Sequence, residues 1–116
     1  MTTPFKDFLA SLEHQREKVK KRVAAILMLC EGAKAVELVG EENPDKWLIV
    51  SPSLLTAGGY RVTYGDELGP VGHEEFTSME IALRACGGES FTDKVHGPPH
   101  FAWHPYRVVK TNKVDS

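Results

Sequence analysis

The longest stretch without an internal glycine or proline lies near the start of the chain, between Pro4 and Gly32. Its apolar side chains recur every seven positions, at Phe5, Leu12, Val19 and Ile26, which is typical of an amphipathic helix. Thr3 can cap such a helix, Pro4 is favoured at its first position, and Gly32 suits its end. We therefore predict one long amphipathic helix within residues 1–32.

The centre of this helix, from His14 to Arg22, is polar and mostly basic. Gln15 and Arg22 occupy positions where a continuous coiled coil needs apolar side chains. The helix should therefore pack through its two apolar ends, on the body of the protein or on another chain. We expect a homodimer, because the roughly 80 remaining residues form only a small core.

Residues 33–116 are predicted to form a compact domain with a loose C-terminal tail from Lys110. Apolar and alternating runs between turn residues indicate strands at 46–51, 60–64, 71–76 and within 101–109, while 33–39 suits either a helix extension or a first strand. Thr77 and Glu80 match a capping box for a short helix ending at Gly87-Gly88. The predicted fold class is α+β: a long N-terminal helix, then a small antiparallel sheet of three to four strands with one short helix packed on it.

Three details of this sheet follow from residue patterns. The run 46–51 is nearly all apolar, which predicts a strand covered on both faces with Trp47 in the core. Alternation places Tyr60, Val62 and Tyr64 on one face of the next strand. Pro105 predicts an edge position or a bulge for the last strand.

Charge is distributed unevenly along the chain. The formal net charge of −2 combines +3 for residues 1–22, −7 for residues 23–95 and +2 for residues 96–116. An acidic body is suited to meeting a basic surface. We predict an acidic interaction surface formed by Glu41, Glu42, Asp45, Asp66, Glu67, Glu74 and Glu75.

Two other groups of residues are candidates for contacts. Trp103, Tyr106 and Arg107 combine the aromatic and basic side chains that are enriched in protein-contact hot spots. The basic helix supports an alternative, a nucleic-acid-binding protein that uses Lys18, Lys20, Lys21 and Arg22, although no aromatic residues interleave them for base stacking.

Histidines support the second alternative, a small His-dependent enzyme or metal protein. His96, His100 and His104 are spaced by four, but Pro98-Pro99 excludes a helix there, and in extended backbone residues four apart lie about 13 Å apart. His73 beside Glu74 and Glu75, with Tyr60 or Tyr64 from the neighbouring strand, could serve acid–base chemistry. These patterns lack a complete motif, so we expect no metal, no cofactor and no enzymatic activity.

The longest apolar run, Val23 to Cys30, is far too short to span a bilayer, and no signal-peptide pattern is present. Cys30 and Cys86 lie far apart without a CxxC partner, which favours buried free thiols. We therefore expect a cytoplasmic protein without a membrane partner.

The stretch from Tyr60 to His73, with Glu75-Phe76 and the short capped helix after it, resembles small accessory proteins of phages and mobile elements, of the anti-defence (anti-CRISPR-like) kind. The resemblance covers about a quarter of the chain. It implies a small α+β domain with an acidic face that inhibits a host defence system by binding, and it carries over no catalytic residue. The sequence therefore favours a non-enzymatic binding or inhibitor protein that occupies a surface of a larger protein or nucleoprotein complex.

Overall fold

The computed structural model describes residues 4–55, 57–89 and 105–113, with side chains from residue 6 onward. Its helices and strands, in chain order, are α1 (Pro4–Leu29), β1 (Ala35–Gly40), β2 (Trp47–Pro52), β3 (Tyr60–Asp66), β4 (Gly69–Phe76), α2 (Met79–Cys86) and β5 (Tyr106–Asn112). The described strands form one antiparallel sheet in the order β4-β3-β2-β1-β5. The predicted α+β class is confirmed, with five strands in the sheet rather than three to four.

The additional strand is β1. It begins in the segment 33–39, for which the sequence allows either a helix extension or a first strand. The backbone of Gly32 has a φ of 76°, a conformation that favours glycine and turns the chain out of α1. The Lys34 amide then donates to the Asn112 carbonyl at 2.8 Å, which brings the chain into the sheet beside β5. The segment is therefore a strand and not an extension of the helix.

The starts of the two helices can be compared with the predictions, although Thr3, the predicted cap of α1, lies outside the described residues. α1 begins at Pro4 as predicted. The cap of α2 is Ser78 and not Thr77, because the Ile81 amide donates to the Ser78 hydroxyl oxygen at 3.2 Å. Glu80 is thus already inside the helix and pairs with Arg84 at 3.2 Å, one turn later, so the predicted capping box is corrected to a single serine cap.

The hydrophobic core lies on one face of the sheet, beneath α2 and the C-terminal turns of α1. Leu38, Leu48, Val50 and Val62 have 0% of their surface exposed. Ala82, Leu83 and Ala85 of α2 pack against them in the same cluster. Tyr60 and Tyr64 also border this cluster, which confirms the predicted alternation of β3.

The other face of the sheet carries no described helix. Ile49, in the middle of β2, is 40% exposed there, so the prediction that this strand is covered on both faces is wrong. Trp47 is half-buried on the same open face, where its ring covers Gly65 of β3, and is therefore not a core residue. The two described helices pack on one face of the five-stranded sheet and leave this one open.

The last strand is an edge strand, as Pro105 predicts. Its pairing with β1 also shifts register between Glu37 and Leu38. The strand continues to Asn112, so the segment predicted as a loose tail from Lys110 begins with strand residues.

Among the described side chains of α1, the fully buried ones lie near its C-terminal end. Val23 and Ile26 are 7% and 3% exposed, whereas Phe8 and Leu9 near the other end are 58% and 44% exposed. A helix of 26 residues is about 39 Å long, so its N-terminal half extends past the contact with α2. One apolar end therefore packs on the protein's own body, and the homodimer stays a prediction.

The two cysteines are free and buried, with Cys30 3% and Cys86 0% exposed. Burial raises the pKa of both thiols. We expect both to react with an aromatic disulfide reagent far more slowly in the folded protein than in denaturant. Because the thiols hold their protons more tightly when folded, their contribution to stability should decline as pH rises above about 8.5. Rapid labelling of both thiols without denaturant would contradict their burial.

Candidate functional site

Two tight connections lie side by side at one end of the sheet. The β1–β2 connection spans residues 41–46 and the β3–β4 connection spans residues 67–68. Both reach the same end because β1 to β4 form a meander of antiparallel neighbours. The two connections carry Glu41, Glu42, Asp45 and Glu67, and Asp66 is the last residue of β3, directly before the second connection. These five of the seven predicted acidic residues form a group that we call the acidic end.

The β1–β2 connection is held by hydrogen bonds of its backbone amides. The Gly40 amide donates to the Lys46 carbonyl at 2.9 Å, and the Glu41 amide donates to the Pro105 carbonyl at 3.0 Å. The Asp45 amide donates to the side-chain oxygen of Asn43 at 3.1 Å, which is an Asx turn. Glu41, Glu42 and Asp45 are exposed, so a fixed backbone presents these carboxylates to solvent.

The β3–β4 connection is shorter and also carries an Asx turn. The Leu68 amide donates to the Asp66 carboxylate at 2.8 Å. Gly69 has a φ of 120°, which few residues other than glycine adopt. The neighbouring Glu67 is exposed.

Trp47 connects the two turns. Its indole N–H donates to the Asp66 carbonyl at 2.9 Å, and its ring lies where a side chain on Gly65 would stand. A residue at the start of β2 thus holds the backbone at the end of β3. We did not predict this contact from the sequence. A glycine inside one strand that lies opposite an aromatic residue of the next strand would indicate it. Recognising such a pair requires the register of the two strands, which the sequence alone does not give.

The acidic end concentrates negative charge. The two turns are two strand spacings apart, or about 10 Å, which is close to one Debye length at physiological salt. The described cations nearby are Lys46, within the first turn, and Arg107 on β5, which pairs with Val39 in register. Five carboxylates and two cations leave a negative local field that a basic partner would sense.

Glu74 and Glu75 do not belong to this group. Glu75 lies on the open face of β4, where its carboxylate accepts from Arg61 at 2.7 Å. The Ser53 hydroxyl and the Arg61 guanidinium lower the pKa of Glu75, so the carboxylate stays ionised and its negative charge is balanced by Arg61. Glu74 is half-buried and points to the other side of the strand. The predicted seven-residue surface is therefore corrected to five.

The residues proposed for acid–base chemistry are separated by the sheet. His73 lies on the open face opposite Thr63, whereas Tyr60 and Tyr64 pack toward the helices. The described residues contain no group of three or more His, Cys, Asp and Glu side chains placed to hold a metal ion. His96, His100 and His104 lie outside the described residues, as does Trp103.

Tyr106 and Arg107 have different environments. Tyr106 is 3% exposed and belongs to the core, because Gly40, its partner in register, faces the helices. It therefore offers no surface for a contact, which corrects the expectation from sequence. Arg107 is exposed on the adjacent position.

The four basic residues of α1 do not share one surface. Positions 18, 20, 21 and 22 are spread around the helix at 100° per residue, with 18 and 20 on nearly opposite sides. Arg22 donates to the Gly87 carbonyl at 3.3 Å and ties α1 to the end of α2. Lys18, Lys20 and Lys21 are exposed, and Lys20 lies 3.7 Å from Glu17.

Comparisons with protein-family models, curated protein sequences and solved structures gave no match. Within the described part of the chain, no helix has the length and apolar character needed to cross a membrane. The functional hypothesis therefore rests on the residues of this chain alone.

Proposed function

We propose that this protein is a non-enzymatic binding protein whose acidic end occupies a basic surface of a larger protein or nucleoprotein complex. The observation that carries the proposal is the convergence of Glu41, Glu42, Asp45, Asp66 and Glu67 on two neighbouring turns. The backbone of both turns is hydrogen-bonded, so binding would order mainly the side chains, which favours affinity.

Electrostatics indicate the kind of partner. A group of anions on two hydrogen-bonded turns resembles a short stretch of nucleic-acid phosphates, and a basic groove built for phosphates would accept it. Complementary charge would speed association and set its orientation. An inhibitor that blocks such a groove needs no catalytic residue, which agrees with the separation of His73 from the tyrosines.

The test compares two variants with the same change of net charge. The first, E41Q/E42Q/D45N/E67Q, neutralises the exposed carboxylates of the acidic end and spares Asp66, whose side chain accepts the Leu68 amide. The matched control is E13Q/E17Q/E31Q/E37Q, in which all four residues are exposed and lie elsewhere. Tagged forms of wild type and both variants are expressed in the native host, and co-purifying proteins and nucleic acids are quantified.

We expect a specific partner with wild type and the control, and a loss of recovery of roughly tenfold or more with the first variant. The association rate of the purified pair should fall with added salt. The same partners recovered at equal levels by all three proteins would contradict the proposal. No partner at native expression level, or an equal loss with both variants, would also count against it.

A further inference from the structure

A groove unrelated to the acidic end lies along α1, where the helix meets the end of α2. It has a volume of about 610 Å³, within the usual range of ligand-binding clefts. Its lining on α1 extends from Leu12 to Leu27, which corresponds to about 22 Å along the helix axis. The groove is thus long, and an occupant would lie along the axis of α1.

The floor of the groove is apolar. Gln15 is the one polar, uncharged side chain of α1 among the described residues of the lining; the apolar ones are Leu12, Val19, Val23, Ala24 and Leu27. Val23 and Leu27 continue into the packed core, and Val19 and Leu12 are half-buried further along the helix. The row of apolar side chains that holds α1 on the body therefore extends into the groove.

The rim of the groove is cationic. Arg16 and Lys20 lie on the α1 side, and Arg84 and Glu89 lie on the α2 side. Arg84 is already paired with Glu80 at 3.2 Å and with Glu89 at 3.3 Å. Arg16 has no ion-pair partner among the described residues, and the contact of Lys20 with Glu17 is long and solvated, with both side chains more than half exposed. Two positive charges thus remain for an occupant.

We propose that this groove binds an acidic amphipathic helix of a protein partner. The apolar floor would receive side chains spaced three and four residues apart, and Arg16 and Lys20 would pair with carboxylates on the flank of that helix. The lining residues lie on α1 and at the C-terminal end of α2, with Gly88 and Glu89 just beyond it. None of these residues belongs to a strand, so an extended peptide would find no strand edge for its backbone N–H groups, whereas a helix satisfies its own. A second α1 is disfavoured as the occupant because residues 1–22 carry a net charge of +3 and would face two cations.

The probe is a fluorescent peptide of about 15 residues, four turns of helix, with leucines on one face and glutamates beside them. One comparison peptide has the same composition in scrambled order, and another has lysine in place of glutamate. Binding to the full-length protein is followed by fluorescence anisotropy at about 150 mM salt. The test variant R16E/K20E is matched by K18E/K21E, which makes the same charge change at exposed residues of α1 outside the groove.

We expect saturable binding of the acidic helical peptide, with an affinity at least about tenfold above that of either comparison peptide. R16E/K20E should lose roughly tenfold or more in affinity, and K18E/K21E no more than about threefold. An additional variant, Val19→Gln, should weaken binding through the floor, and circular dichroism should show that each variant is folded. No binding, equal binding of the scrambled peptide, or equal losses in both charge variants would overturn the proposal. A dimer in light scattering that R16E/K20E converts to a monomer would overturn it too, since the occupant would then be a second copy.

Discussion

Replacing Gly65 by alanine is expected to lower the free energy of unfolding by about 2–3 kcal/mol, as overpacking does in well-filled sites. A Cβ atom at this position would collide with the ring of Trp47 and would lie 2.5 Å from the Gly69 carbonyl oxygen. The carbonyl belongs to the backbone of the β3–β4 turn and cannot rotate away. Displacement of the ring would also weaken the hydrogen bond from the Trp47 indole N–H to the Asp66 carbonyl. Urea denaturation monitored by circular dichroism measures the loss.

Gly58→Ala is the matched control for this variant. Gly58 has a φ of 79°, and a Cβ there would meet nothing within 4 Å, so only the backbone conformation opposes alanine, at about 1 kcal/mol. In a double-mutant cycle, Gly65→Ala should lower the free energy of unfolding by less in the Trp47→Val background than in wild type. The reason is that the Trp47 ring is one of the two groups with which the new Cβ would collide. If Gly65→Ala is as stable as wild type, the ring does not cover this strand.

Leu48→Ala is expected to be more destabilising, by about 3–4 kcal/mol, since it removes three carbon atoms from a packed site. Leu48 is 0% exposed, and its neighbour Ile49, on the opposite side of the same strand, is 40% exposed. Ile49→Ala should therefore cost only about 1 kcal/mol. The difference between the stability losses of Leu48→Ala and Ile49→Ala therefore measures how much more one face of the sheet is covered than the other.

Thermal and urea denaturation of both variants give the comparison. A loss for Ile49→Ala as large as that for Leu48→Ala would mean that something covers the open face in solution. Light scattering on wild type would then show whether the cover is a second copy of the chain. A mass independent of concentration and equal to the 12.9 kDa chain would point instead to cover from within the molecule.

Elements marked by strong local chemistry could be predicted from sequence. Pro4 and Gly32 delimit the first helix because one favours its first turn and the other leaves it at positive φ. The turn residues around 66–69 correctly separate β3 from β4. The alternation in β3 also follows from residue types, because Tyr60, Val62 and Tyr64 all gain from packing on the same side.

Features that depend on which faces of the sheet the helices cover, or on strands far apart in the chain, could not be predicted. The run from Trp47 to Val50 reads as a strand buried on both sides, and only the placement of the two helices shows that Trp47 and Ile49 face outward. The segment after Gly32 contains too few residues for its periodicity to distinguish helix from strand. Its identity as β1 depends on β2 and on β5, which lies far along the chain.

Five residues of the acidic surface could be predicted from sequence, and the other two could not. Glu41, Glu42, Asp45, Asp66 and Glu67 lie in turns, and turn position is readable from glycine, proline and asparagine nearby. That the two turns meet follows from the meander. The pairing of Glu75 with Arg61 instead depends on the register between β3 and β4, which includes a shift between Tyr64 and Gly65, and local sequence does not specify it.

The pairing of β5 with β1 has a consequence for the order in which the protein is made. The strand that covers the outer edge of β1 is the last of the chain's described elements, and the Lys34 amide bonds to Asn112 near its end. During synthesis, β1 to β4 and both helices leave the ribosome while one edge of β1 still has no partner. Unpaired strand edges are where nascent chains associate wrongly. The described sheet is complete only after residues 106–112 have emerged, so β1 cannot pair with β5 before that point.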